Sequence, residues 1–546
     1  LEVNILSLGD KAWQLMLDLT KFHSISQSPG EGRIARYIHS LLADLTYFQM
    51  HPDHLRLESI AAPNEPAVVA ALVKGRGPTC VILLNHHDVV DIEDYGVYKD
   101  LAFSPLELTG SLDPASLPAA AAQDLRSGDW VFGRGTMDML YGLALQLVLT
   151  EAKAASGDFD GNILFISVPD EENTSLGMRH AIKVIRGFQR EYDLDFAGAV
   201  NCEPHGYDGH GHVIQTGSDG KLLPLICCFG HETHAGALYD GLNPYLLLAE
   251  VIRLLELNPE LSDSCAGEHT YPPTVLKGGD LKKGYNVSTP PAAWACFNIF
   301  TLGATPQEIM AKLVHLCRQA AANGVASFHR SAAAWQSISG TNLTVPDIQP
   351  QVMTFSELWQ QCLMTHGESF AREIYDLAAQ GAKKGLDMQH LTLELTQRVQ
   401  QYSPHDGPKI VIALAPPFYP PVRNRRQTEK ELKVMAAVDA LQQQAKIAGV
   451  DLSHGEYHRG ISDLSYCLLQ DAGEVVETLK ANCPLWDRGY HLPLEDLAAL
   501  DAPAVNLGPW GRDLHKSTER IHGPFARETL PHLLQHLLSY LLAPKN

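Results

Sequence analysis

The sequence has no C-x-x-C pair, no G-x-S-x-G segment, no P-loop and no G-x-G-x-x-G turn. Its ten cysteines are scattered, at 80, 202, 227, 228, 265, 296, 317, 362, 467 and 483. That spacing excludes a disulfide framework and a thiolate zinc site, and it fits a reducing compartment such as the cytoplasm. The missing G-x-S-x-G argues against a serine hydrolase. The missing glycine-rich loops argue against nucleotide-dependent chemistry. No uncharged apolar run reaches the roughly 18 residues of a membrane-spanning helix. Positive charge is also scarce: 42 Lys and Arg face 63 Asp and Glu, a net charge of -21. Such a surface repels phosphate backbones and anionic lipid, so neither nucleic acid nor membrane is expected as a partner. It favours a cationic substrate only weakly.

Leu1 to Thr20 reads as the start of a helix, without the basic segment and small-residue cleavage site of a signal peptide. The chain opens on Leu1 rather than Met, so a missing or processed N-terminal piece is expected. With 546 residues, more than one domain is expected, because single cores seldom grow beyond about 300 residues. The first part alternates helix-like segments (Asp10 to Phe22, Gly30 to Leu45, Met139 to Ala155) with buried-strand runs (Cys80 to Leu84, Ile163 to Val168). This alternation predicts an α/β domain with a central, mostly parallel sheet. From about residue 216 the texture changes. Strands over Leu222 to Phe229 and Ala293 to Leu302 and helices over Asn243 to Leu257 and Thr305 to Asn323 predict an inserted α+β unit. Helical patterning follows from Thr354 to Tyr402. Lys409 to Leu414 reads as a strand stopped by Pro416, Pro417, Pro420 and Pro421, a domain boundary. Thr428 to Ala448 is again a helix. The expected division is 1–215 and 422–546 for one domain and 216–421 for the insertion.

Several short segments are rich in hard metal donors, most of them following an apolar strand-like run. In Asn85-His86-His87-Asp88, strand geometry turns His86 and Asp88 one way and His87 the other. A His beside a carboxylate suits a metal ligand with its orienting partner; a polar loop is an equal alternative. Gly133-Arg134-Gly135-Thr136-Met137-Asp138 allows a tight turn that delivers Asp138, though a lone Asp before a helix is more often a cap. Asp170-Glu171-Glu172 follows a strand, where α/β sheets bind ligands, although acidic runs are commonly just solvated. Cys202-Glu203-Pro204-His205 reads alone as a plain turn. His515, after Gly508-Pro509-Trp510-Gly511-Arg512-Asp513 and before Glu519, is by itself unremarkable. Together, His86, Asp138, Glu172, Glu203 and His515 make an N/O donor set without thiolate. It suits two divalent ions, zinc or else cobalt or manganese, and leaves one carboxylate free as a base.

These segments, in this order, resemble the M20 family of metallopeptidases, whose pattern runs H-x-D, G-R-G-x-x-D, D-E-E, E-P and a late His. The resemblance covers most of the chain. It implies a phosphorylase/hydrolase-like catalytic domain with an inserted lid, or dimerisation, domain, and hence a homodimer. It implies that Asp138 bridges two metals, with His86 and Glu203 on one and Glu172 and His515 on the other. Asp88 then orients His86, Glu171 is the general base, and the peptide after Asp138 is cis. In the insertion, Gly230-His231-Glu232-Thr233-His234 is similar to the family's G-x-x-x-H, which makes His234 the oxyanion donor. His231 to His234 is one residue short of the H-E-x-x-H of thermolysin-type sites. Lys277-Gly278-Gly279-Asp280 and Asn286-Val287 match the family's G-G…N-V stretch, which assigns Asn286 to substrate. Gly460, in Gly460-Ile461-Ser462-Asp463-Leu464-Ser465-Tyr466, is assigned to substrate in the same way.

The chain also departs from the pattern. Asn298-Ile299-Phe300 stands where the family often has D-x-R, whose Arg grips a substrate carboxylate. Met139-Leu140-Tyr141 follows Asp138 where a Lys is usual, and an extra helical segment occupies roughly 327–402. These features resemble the RocB-like, arginine-utilisation branch of the family. The expected activity is hydrolysis of a peptide or N-acyl bond in a small amino-acid derivative. The alternative is a metal-holding binding or regulatory protein on the same scaffold, which the intact Glu171 disfavours.

Overall fold

The computed structural model describes residues 5–206, 211–404, 407–470 and 472–544. The first four residues of the expected N-terminal helix lie outside them; the rest is the helix Ile5–Thr20. Two compact units are present. One comprises Leu1–Asp219, Val422–Gln470 and Pro493–Asn546, the other Gly220–Pro421 and Asp471–Leu492. The sequence division differs by a few residues at its first boundary. It also differs at Asp471–Leu492, which packs with the second unit and not with the first.

The first unit is built on an eight-stranded sheet ordered Leu55–Ser59, Ala67–Lys74, Asp160–Val168, Arg76–His86, Asp195–Asn201, Ala504–Asn506, His212–Gln215, Leu452–Gly455. Its centre is parallel: Arg76–His86 pairs in parallel with both Asp160–Val168 and Asp195–Asn201, and Ala504–Asn506 continues in parallel. Antiparallel pairings flank that centre, at Ala67–Lys74 and at the single Asn506–Gln215 contact, so the sheet is mixed. Ile82, Leu83 and Leu84 are buried, as a strand covered on both faces requires. The helices Ile5–Thr20, Tyr141–Ser156, Glu429–Ile447 and Leu530–Leu542 contribute Leu19, Leu145, Leu441 and Leu534 to the main core.

Local sequence explains where these helices begin. Ser28 accepts from the Gly30 N–H and Pro29 takes the first helical position of Pro29–Ala43. Thr428 and Glu431 form a reciprocal capping box at Glu429–Ile447.

The second unit holds a five-stranded sheet ordered Thr274–Asp280, Ala292–Thr301, Gly220–Phe229, Lys409–Tyr419, Gln351–Thr354. Two sequence expectations change here. The helix expected to stop at Asn323 runs as Pro306–Ser339, because its apolar positions continue through Phe328 and Ala332. The strand expected to stop before Pro416 runs as Lys409–Tyr419, with an irregularity in register between Ala415 and Tyr419 that accommodates the prolines. The segment expected to be helical over roughly 327–402 contains the short strand Gln351–Thr354, followed by the helices Phe355–Lys383 and Met388–Gln401. Among the described residues, no helix is long and apolar enough to cross a membrane.

Candidate metal centre

Three parallel strands deliver the donors to one edge of the first unit's sheet. His86 ends Arg76–His86, Glu171 and Glu172 follow Asp160–Val168, and Glu203 follows Asp195–Asn201. This is the carboxyl edge, where open α/β sheets bind ligands. Asp138 arrives on a widened helical turn, Thr136–Leu140, and the Asp138–Met139 peptide is cis. His515 lies in the loop between the short strands Gly511–Arg512 and Arg520–His522.

Three groups of metal-type donor atoms result, each with its atoms within 4.8 Å of one another: His86–Asp138–Glu203, Asp138–Glu172–His515 and His86–Glu171–Glu172. All five ligands expected from the sequence belong to them, together with Glu171. His86 Nε2 is 3.2 Å from Asp138 Oδ1 and 3.5 Å from Glu203 Oε1. His515 Nε2 is 3.0 Å from Asp138 Oδ2 and 3.1 Å from Glu172 Oε2.

The His86 ring tests whether these residues suit a cation. Its Nδ1 donates to the main-chain oxygen of Asp88 at 3.0 Å. In the neutral ring, Nε2 is then a bare lone pair, which suits metal ligation. This buried atom has no hydrogen-bond partner, yet it faces two carboxylates. A lone pair opposed to carboxylate oxygens is unfavourable unless a positive charge stands between them. All the donors are nitrogen or oxygen, so the chemistry fits a divalent ion such as zinc, cobalt or manganese.

The electrostatics point the same way. Burial raises the Glu171 carboxyl well above its ordinary range, and Asp463, Glu203 and Glu172 add repulsion. Burial and Asp138 push Glu172 up to about 8, against the opposing pull of His515. Burial also raises Glu203, with His86 opposing. Burial would lower the two imidazoles, but the carboxylates outweigh it. His86 is held well above its ordinary value, and His515 is pushed up to about 11. Asp138, between the two rings, is held well below the usual carboxylate range in spite of its burial. Without a cation, protons supply the positive charge that the carboxylates demand.

Asp88 organises the second layer. It accepts the main-chain N–H groups of Glu171 and Glu172 at 3.0 and 3.2 Å and the Ser26 hydroxyl at 2.7 Å. Its Oδ1 is 3.5 Å from His86 Nδ1. Asn506 grips the Glu203 backbone, accepting its N–H at 2.8 Å and donating to its C=O at 3.1 Å. Gly508 must be glycine, because an added Cβ would lie 2.1 Å from the Glu203 carbonyl oxygen.

Other candidates turn away. His87 contacts the Ser167 hydroxyl through Nδ1. The Asp170 carboxylate accepts from Thr174, Asn173 and the Leu176 N–H, and so caps the helix that follows. His205 pairs with His212 and the Gly508 carbonyl. Gly460 adopts φ +115, a left-handed conformation suited to glycine.

In the second unit, His234 is exposed and its Nδ1 accepts the Gly236 N–H. Asn286 is exposed and accepts the Ser288 N–H, and Ser288 is bridged to His234. Asn298 is buried within Ala292–Thr301, opposite Thr274. Sequence reading passed over Asp463, Asn506 and Arg134. Asp463 is buried, and its carboxyl is raised to about 7, first by burial and with Ser175 opposing. The one sequence signal for it was its place in the Gly460 to Tyr466 segment.

Residues 83–498 match the family model described as Peptidase family M20/M25/M40. The chain belongs to that family and is a metallohydrolase of the M20 type. It is 36% identical over 545 residues to the uncharacterized protein YqjN of Bacillus subtilis (strain 168), covering 98% of this chain and 96% of that protein. It is 27% identical over 555 residues to protein RocB of the same organism, covering 99% and 96%. The resemblance to the RocB-like branch therefore extends along the chain. Among solved structures it is similar to an M20 family metallo-carboxypeptidase, Sso-CP2, from Sulfolobus solfataricus. The TM-score is 0.52 at 15% identity, with 98% of this chain and 100% of that chain covered, a likeness of fold.

Proposed function

We propose that this protein uses two divalent ions to hydrolyse an amide bond, peptide or N-acyl, in a small amino-acid derivative or short peptide. Residues His86, Asp138 and Glu203 would hold one ion, and Asp138, Glu172 and His515 the other. The observation that carries the reading is the buried Nε2 of His86, without a hydrogen-bond partner and facing two carboxylates. The ions would acidify water and polarise the scissile carbonyl.

The chain's own residues do the rest. Glu171 takes a proton from the attacking water and returns it to the leaving nitrogen. Burial and the like charges around it raise its carboxyl above the ordinary range, the direction that suits a proton acceptor. Asp88 fixes the Glu171 backbone through its N–H and keeps the His86 ring in place. His234 donates to the oxyanion, and Asn286 and Gly460 line the substrate. The second unit acts as lid and dimerisation domain, and the resemblance of the sequence segments to the arginine-utilisation branch favours an arginine-related substrate. The cysteines are all unpaired, nine of the ten being buried, in keeping with a cytoplasmic setting.

A silent metal-holding protein is the second reading. The absence of an Arg on the strand that carries Asn298 favours it, and Glu171, a carboxylate that such a protein has no use for, speaks against it. Hydrolysis of a panel of N-acyl amino acids and dipeptides, arginine derivatives included, tests the proposal. Turnover that EDTA abolishes is expected. No turnover by protein loaded with two ions would favour the silent reading.

A further inference from the structure

The loop that carries His515 is held from inside the protein. His515 and Asp513 both adopt left-handed backbone, at φ +59 and +58. Side chains with a Cβ take that conformation at a cost, and it persists where the surroundings over-determine it. At one end of the loop, the buried Arg520 donates to Asp124 Oδ2 at 2.7 Å and to Asp513 Oδ2 at 2.5 Å. At the same end, directly before Arg520 in the chain, stands Glu519, which is 1% exposed.

Glu519 joins this loop to the turn that delivers Asp138. Its Oε1 accepts the Gly135 N–H at 2.8 Å, and its Oε2 accepts Nη1 of Arg134 at 2.5 Å. Its main-chain oxygen accepts the Gly133 N–H at 3.0 Å. The Arg134 guanidinium, also 1% exposed, spends its remaining donors on the Asp91 carbonyl and Asp94 Oδ1. The hydrogen bonds of the pair thus go to each other, to loop backbone and to the Asp94 carboxylate, and none goes to a member of the donor groups. A buried ion pair is seldom the cheapest way to stabilise a core, and its best-attested use is to fix register. Here the register in question is that of Asp138 against His515.

We propose that Arg134 and Glu519 are positioning residues for the metal centre. They lock the Asp138 turn to the His515 loop, and so set the affinity of the Asp138–Glu172–His515 group for its divalent ion without touching that ion. This role rests on the two-ion reading of the preceding section.

The test is calorimetric titration of the metal-free full chain with Co2+, with the visible cobalt spectrum followed in parallel. The wild-type chain takes two ions. His515→Ala identifies which binding step belongs to the Asp138–Glu172–His515 group. Glu519→Gln weakens that same step by roughly 10–100-fold, the usual loss on disturbing an outer-layer partner, and leaves the other step unchanged. Arg134→Lys keeps the charge, loses the planar fork and weakens the same step less. Equal weakening of both steps, no change in either, or unfolding of both metal-free variants would overturn the role. A wild-type chain that takes fewer than two Co2+ would instead overturn the two-ion reading, a failure visible before any variant is examined.

Discussion

His515 Nε2 lies 3.0 Å from Asp138 Oδ2, although 377 positions separate them in the chain. The other Asp138 oxygen faces His86 Nε2 at 3.2 Å. One carboxylate thus stands between two imidazoles and belongs to two of the three donor groups. Asp138→Asn is expected to lose both ions, whereas His515→Ala loses one. Metal analysis after gel filtration checks this; retention of an ion by Asp138→Asn would show that the carboxylate is not shared.

Glu171 is the carboxylate assigned to proton transfer. Glu171→Gln preserves size and hydrogen-bonding capacity but cannot accept the proton. Turnover should fall by about 10²–10⁴-fold, the usual contribution of such a group, with metal content unchanged. Single-turnover kinetics beside metal analysis separates the two effects. Full activity in the variant would remove Glu171 from the mechanism.

Stability and metal affinity should respond to pH in opposite directions. Glu172 rises from an ordinary 4.5 to about 8 in the folded chain, and His515 from 6.5 to about 11. Both bind protons more tightly folded than unfolded. The metal-free folded chain therefore holds excess protons from about 4.5 to 8 through Glu172 and from 6.5 to about 11 through His515. Stability is greatest below each lower limit and is lost as pH rises towards each upper one. The melting temperature of the metal-free protein should thus fall between pH 6.5 and 9, the interval chosen for measurement in the pH windows above. Divalent-ion affinity should rise over the same interval, because the ligands must shed protons to bind. Calorimetry with and without Zn2+ measures both; a melting temperature that rises with pH in the metal-free protein contradicts the scheme.

His234 is exposed and belongs to none of the three donor groups, so removing it leaves those donors in place. His234→Ala should keep two ions and its melting temperature. Its kcat should fall by about 10²–10³-fold with little change in KM, the signature of a lost oxyanion donor. A change confined to KM would make His234 a binding residue instead.

Much of this was legible in the sequence because the chemistry is local to strand ends. The runs Cys80 to Leu84 and Ile163 to Val168 announce buried strands, and the donor-rich segments follow them directly. Period-two geometry separated His86 from His87, and the structure does turn His87 towards Ser167. What escaped was non-local. Nothing near Asp170 shows that its carboxylate turns back to cap the next helix while its two neighbours face the cluster. Nothing near Arg134 shows a partner at Glu519, 385 positions away. The proline cluster after Lys409 does mark the edge of the second unit, after Pro421, but it misled about where the strand ends, for a physical reason. Proline lacks a donor, but where the register is already irregular the ladder has no need of one, and the strand reaches Tyr419.

The most direct test of the central claim is anomalous diffraction at the zinc edge from crystals of the zinc-loaded protein. Two peaks are predicted, one among His86, Asp138 and Glu203 and one among Asp138, Glu172 and His515, with Asp138 next to both. A single peak, or peaks away from Asp138, would contradict the account.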